Sequence, residues 1–212
     1  TARSRGLGDV YKRQEVDFDR LRFYCAWDLA IGQRERNDYS VGVVVGVDEY
    51  DNLYVVDCIR GKYDGFELVE QILDLFETWR PHVVGIEKGH IEMALGPFLQ
   101  KRVRERGLNE AYFKDLKVGR RDKEARARAI QGRMQQGMVY FPKDPVWVGP
   151  LIAELLRFPN GVHDDQVDAL AWIGLMMTEF ATFVEKIEHD PSWRDKLKYL
   201  AKSEKRKTAM SS

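Results

Sequence analysis

The sequence predicts an α/β domain whose mixed central β-sheet opens with a three-stranded meander and is flanked by helices. Three observations carry this. Near-continuous apolar runs over Arg22–Ile31, Tyr39–Val47 and Leu53–Arg60 follow one another closely, each too short for a helix and rich in residues that suit strands. Beyond them, helical periodicity alternates with short extended runs, the pattern of chains that lay helices on a sheet. The chain has 212 residues with 34 basic and 34 acidic side chains. That length suffices for one core of ordinary size, and the balanced charge says nothing about partners.

Residues 1–20 read as foreign or flexible, because Asp9-Val-Tyr-Lys-Arg-Gln14 resembles the translation of a transposon-derived sequencing adapter. The natural protein is then expected to continue upstream. The predicted domain runs over 21–184. Its first strand carries Asp28 among Phe, Tyr, Trp and Leu, where an acid is costly unless it is paired, hydrogen-bonded or bound to a metal. Gly32–Asp38 is polar and turn-like, and Tyr39–Val47 is β-branched enough to be buried on much of both faces. Asp48–Asn52 makes the hairpin turn into the third strand.

Gly65–Trp79 places Phe66, Val69, Ile72, Leu73, Phe76 and Trp79 at helical spacing, and Pro81 stops the helix. His82–Glu87 is a short buried strand ending in a carboxylate. A helix is expected over 91–106, interrupted near Gly96-Pro97, then a strand within 112–118. A basic helix follows over Asp122–Gln136, with Gly137 as its C-cap. After a short extended piece at Met138–Phe141, an amphipathic helix at Val146–Phe158 leads into the turn Pro159-Asn-Gly161. The last helix of the domain carries Asp164, Asp165 and Asp168 in its first turn and runs to about Val184. The charged tail, 185–212, is expected to be helical or disordered, with one helix over 191–202 and disorder in the last ten residues.

Composition excludes several classes. Cys25 and Cys58 sit in apolar strand runs without CxxC or Cys/His spacing, so both are expected buried and reduced, and zinc is not expected. No apolar run reaches the ~18 residues of a membrane span, and no signal peptide is visible, so an intracellular protein is expected. From Lys101 to Arg133 there are twelve basic against five acidic residues, either a solvated face or a partner for a nucleic-acid backbone.

The acids carry the chemistry. Asp164, Asp165 and Asp168 lie in the first turn of a helix, where the macrodipole favours carboxylates, and their spacing gathers them near one face. Alone, such a cluster is equally an acidic N-cap with nothing bound. If the first and fourth strands are parallel neighbours, Asp28 and Glu87 meet at their carboxyl ends, where open α/β sheets collect their sites. The acidic helix then supplies Asp164 or Asp165. An all-carboxylate set suits Mg²⁺ or Mn²⁺.

Asp in strand one, Glu after strand four and Asp-Asp opening a late helix together resemble the RNase H-like nucleases. More narrowly, Phe158-Pro-Asn-Gly-x-His-Asp-Asp-x-Val-Asp-Ala-Leu-Ala171 resembles the nuclease domain of phage large terminase subunits. Lys123-Glu-Ala-Arg-Ala-Arg-Ala-Ile-Gln131 and Gly137-Met-Val-Tyr-Phe-Pro142 fit that family's approach to its last acid, and the likeness covers about Arg22 to Phe180.

The resemblance implies an RNase H-like fold and an endonuclease that cuts double-stranded viral DNA during packaging, in the cytoplasm of the infected bacterial host. It implies two Mg²⁺ or Mn²⁺ ions, bridged by Asp28, one held by Glu87 and the other by Asp164 or Asp165. Asp168 is assigned to holding the helix in preference to direct ligation, and His163 to a cap or supporting position.

Phosphate charge is expected to be offset by Arg120, Arg121, Lys123, Arg126, Arg128 and Arg133, with Lys88 and His90 either touching phosphate or lying on plain surface. Trp27 and Trp172 are read as packing residues. Large terminases also carry an ATPase motor, yet this sequence has no GxxxxGK[ST] loop. The expected partners are therefore DNA, an ATPase domain absent from this chain, a portal and a small terminase subunit. Two alternatives keep the fold: a Holliday-junction resolvase or RNase H-type enzyme, and a catalytically silent DNA-binding module.

Overall fold

The computed structural model describes residues 16–30, 39–87, 96–116, 123–161 and 163–188, with the side chains of 123–125 and 181–188 outside that description. The expected turn over 32–38 and helix over 191–202 lie outside the described residues. Among the described residues, six strands and five helices alternate along the chain. These are β1 (Arg22–Asp28), β2 (Ser40–Val47), β3 (Leu53–Gly61), α1 (Gly65–Trp79), β4 (Val83–Glu87), α2 (Gly96–Glu105), β5 (Phe113–Leu116), α3 (Lys123–Gln135), β6 (Val139–Tyr140), α4 (Val148–Arg157) and α5 (Asp165–Glu188). The sheet order is β5-β4-β1-β2-β3-β6. The meander pairs are antiparallel, whereas β1–β4, β4–β5 and β3–β6 are parallel.

The meander forms where the sequence places it. β2 is buried along its whole length, as its Val-rich composition requires of a central strand. Its glycines make room: a Cβ at Gly42 would come within 2.7 Å of the Trp27 ring, which is fully buried. The β2–β3 turn is organised by Asp48, whose carboxylate accepts from the backbone N–H groups of Tyr50 and Asn52, the Asn52 amide and the Tyr54 hydroxyl.

On one face of the sheet, Cys25, Trp27, Val84 and Ile86 pack against Leu68, Ile72, Leu73 and Phe76 of α1 and Leu99 of α2. α1 begins with a reciprocal cap between Asp64 and Glu67 and ends at Arg80 in the left-handed region, so both ends follow local rules. Of the helix expected over 91–106, the described part is α2, with Gly96-Pro97 in its first described turn; residues 91–95 lie outside the described set. The opposite face carries Cys58, whose thiol donates to Gln166 of α5 at 3.5 Å. Both cysteines are free and buried.

The chain falls into two compact units: Thr1–Leu175, which holds the sheet, and Met176–Ser212, whose described part is the C-terminal stretch of α5. No helix among the described residues is long and apolar enough to cross a membrane.

Candidate active site

β1 and β4 are parallel neighbours, with Cys25 level with Val84 and Trp27 with Ile86. One step further along that register, Asp28 stands beside Glu87 at the carboxyl ends of both strands. Across the sheet, Asp28 is level with Val41, and Val41 with Arg60. A single transverse row therefore reads Glu87, Asp28, Val41, Arg60. Alternation of side chains along each strand puts this row on the face opposite Trp27 and Ile86, away from α1. After Asp28 the chain is tied down by the Ala30 N–H donating to the Ser40 hydroxyl at 3.1 Å.

Over that face lies the start of α5. Glu154 of α4 supplies its cap, accepting from the Gln166 N–H at 3.0 Å, while the Asp164 carbonyl accepts from the Asp168 N–H. Arg60 reaches up from β3 between two acids, 3.1 Å from Glu154 and 3.4 Å from Asp165. Burial pushes the Asp165 carboxyl above its ordinary range; Arg60 pulls it back, and the neighbouring Glu154 and Asp164 carboxylates push it up again. The cluster is not fully satisfied: Arg60 Nε, Glu154 Oε1 and Gln166 Nε2 lack hydrogen-bond partners among the described residues. Glu154 Oε1 is therefore held by Coulomb attraction to Arg60 without a well-directed hydrogen bond.

Asp168 is buried and faces Arg126 of α3 at 3.8 Å. That guanidinium also lies 4.8 Å from the Trp172 ring. α3 can come so close because Gly174 has no side chain: a Cβ there would stand 2.8 Å from the Ile130 nitrogen. Trp27 and Trp172 are both buried.

The basic candidates separate. Arg120, Arg121, Lys88 and His90 lie outside the described residues, as does the Lys123 side chain. Arg128 is exposed, and Arg133 donates to the Asp51 carbonyl at 2.8 Å. Arg126 is turned inward on Asp168 and Trp172, so its charge is already matched within the fold. His163 is exposed and stands edge-on to the Tyr39 ring, 6.0 Å between centroids.

Sequence reasoning passed over Arg60, Glu154 and Tyr39. The signal for Arg60 was the one applied to Asp28: a charge inside the apolar run Leu53–Arg60 needs a partner.

As a donor set, Asp28, Glu87 and the Asp164–Asp165 pair are all oxygen, which fits a hard divalent cation in kind. Among the described residues, no three His, Cys, Asp or Glu side chains converge closely enough to hold a metal; the strands supply a pair, and Arg60 engages Asp165. An open cleft lined by Phe18, Asp48, Tyr54, Tyr140 and Lys143 lies at the other end of the sheet and includes none of these acids.

Residues 25–177 match the family model described as the terminase RNase H-like domain. Among solved structures, the large terminase nuclease from thermophilic phage G20c superposes with a TM-score of 0.52 at 18% identity, covering 72% of this chain and 80% of that one. A large terminase from a second thermophilic bacteriophage, solved in complex with ADP, gives 0.49 at 13% identity over 74% of this chain and 42% of that one. The fowlpox virus Holliday junction resolvase gives 0.46 at 12% identity, over 75% and 99%. A search of curated proteins found no match. The G20c likeness establishes an RNase H-like fold, and the match across most of the sheet and its helices establishes the lineage: the chain belongs to the terminase RNase H-like domain family.

Proposed function

We propose that the chain is a metal-dependent endonuclease that cuts double-stranded viral DNA during genome packaging. The observation that carries this is the parallel pairing of β1 and β4, which sets Asp28 beside Glu87 at the strand ends, under a helix that opens with Asp164 and Asp165. Asp28, Glu87 and one acid of the Asp164–Asp165 pair would hold two Mg²⁺ or Mn²⁺ ions. Such ions acidify a water for attack on phosphorus and neutralise charge on the leaving oxygen.

The chain's own residues do the positioning. β1 and β4 hold two carboxylates on a rigid sheet, where a site is more precise than on loops. Arg60 and Glu154 seat the N-terminus of α5, and Arg126 holds Asp168 beneath it. Membership of the terminase family supports an ATPase motor, a portal and a small terminase subunit as partners, and the cytoplasm of an infected bacterium as the setting.

The test is plasmid cleavage with Mn²⁺, Mg²⁺ or EDTA, wild type beside Asp28→Asn. Nicking and linearisation are expected with either metal in the wild type, absent in EDTA and reduced at least ~100-fold in the variant, the scale of losing one charge-stabilising group. Equal cleavage by wild type and variant would remove Asp28 from the site. An intact plasmid under every condition would reject the nuclease reading.

A further inference from the structure

A duplex backbone extends beyond the phosphate that metal ions at Asp28, Glu87, Asp164 and Asp165 would hold, and a cation facing outward beside those acids would hold the rest. Arg126 and Arg133 of the basic helix are committed within the fold. The described cation nearest the row of acids in sheet register is on another element.

β2 runs antiparallel to β1, so its first residues lie at the end of the sheet where β1 finishes. Ser40 pairs with Gly61, and one step further Tyr39 stands level with Lys62. Alternation by two puts Tyr39 on the face of Val41, and Lys62 on the face of Arg60, the face that carries Asp28. The contacts agree. The Arg60 guanidinium lies 4.0 Å from the Tyr39 ring centroid and the Lys62 ammonium 5.0 Å from it, with His163 edge-on to the same ring.

The two cations differ in what they have left to offer. Arg60 is matched by Glu154 and Asp165. Lys62 is exposed, and among the described residues no ion pair joins it to a carboxylate. Asp64, two residues on, is engaged in capping α1. Lying against an aromatic ring orders an otherwise mobile lysine while leaving its charge in water. Lateral strand spacing puts the Lys62 column about 10 Å from that of Asp28, close enough for one duplex to touch both.

We infer that Tyr39 and Lys62 form a phosphate-contacting flank of the site, whose ligand is the sugar-phosphate backbone of a nucleic acid. Lys62 makes the contact, and Tyr39 and Arg60 place it. This rests on the nuclease reading and adds to it the side from which the backbone is held.

The experiment is duplex binding in EDTA, by anisotropy of a short fluorescein-labelled DNA, titrated with salt for wild type, Lys62→Gln and Lys62→Arg. Thermal midpoints confirm that each variant is folded, as substitution of an exposed residue allows. Lys62→Gln should bind more weakly at every salt concentration. Its slope of log K against log[salt] should be shallower by about 0.9, the value of one lost phosphate contact, while Lys62→Arg stays near wild type. Wild type and Lys62→Gln with the same affinity and slope would overturn the inference and leave the nuclease reading standing. A wild type that binds no duplex even at low salt would also overturn the inference, while the nuclease reading stands or falls on the cleavage test with metal.

Discussion

At the scale of single residues, the sheet face under α5 is governed by Arg60. One guanidinium separates Glu154 from Asp165, with side-chain exposures of 24%, 10% and 20% respectively, so neither acid is well solvated. Arg60→Met leaves two like charges side by side in a partly buried position. Breaking a fully buried pair costs ~3–5 kcal/mol. A partly exposed guanidinium puts the expected loss lower, at about 2–3 kcal/mol by urea unfolding, since solvent screens part of the pairing. Arg60→Lys should recover only part of it, because a point charge cannot span two carboxylates as a planar fork does. A loss under ~0.5 kcal/mol for Arg60→Met would show that solvent already screens the cluster.

The same residue marks how far the sequence could be read. Asp28 was legible because its neighbours in the chain are aromatic and aliphatic, so an acid there stands out from composition alone. Arg60 carried an equal signal, but its partner Asp165 is 105 residues away, and no local pattern joins a strand end to a distant helix N-terminus.

At the scale of elements, periodicity was a good guide where one face is strongly apolar and a poor one where it is not. α1 has a continuous apolar stripe, and its end was readable from Pro81. Among its described side chains α3 buries little more than Ala127 and Ile130, too few to reveal which side faces inward. Arg126, four residues before Ile130, shares that inner side, so a charge expected to face phosphate packs on Trp172 and faces Asp168.

The α3–α5 contact gives a paired prediction on glycines. Gly174→Ala would drive a Cβ into the Ile130 backbone at 2.8 Å. Backbone cannot swing aside, so a loss of about 1–3 kcal/mol is expected, as for overpacking. Gly132→Ala in α3 meets nothing within 4 Å and should gain roughly 0.5–1 kcal/mol from helix propensity. Thermal or urea unfolding of both variants decides; equal effects of the two changes would refute the close approach of α3 and α5.

At the scale of the whole molecule, the helical layer on the far side of the sheet is closed by an ionic rim. Arg102 pairs with Glu70 at 2.6 Å, while Arg106 pairs with Glu70, with Asp74 at 2.6 Å and with Glu77 at 3.0 Å. Hydrogen bonds from Arg102 first, opposed by partial desolvation and reinforced by Arg106, hold the Glu70 carboxyl down at about 2. A depressed carboxyl stabilises the fold above its unfolded value, ~4.3 for glutamate, and that contribution is lost as pH falls toward the folded value. Urea midpoints of the wild type should therefore fall between pH ~4.3 and ~2, and Glu70→Gln should flatten that fall. The effect is modest because the rim is open to solvent. Parallel pH profiles for the two proteins would show that the pairs are screened.

The sheet order also decides when the proposed centre can be assembled. β1, β2 and β3 are joined by local connections and can associate early, whereas β4 must bring α1 with it and dock beside β1, a contact between distant parts of the chain that forms slowly. Asp28 and Glu87 become neighbours only when β4 docks. A polypeptide stalled at the meander carries one carboxylate without its mate, so a centre that needs both would stay latent until β4 has docked.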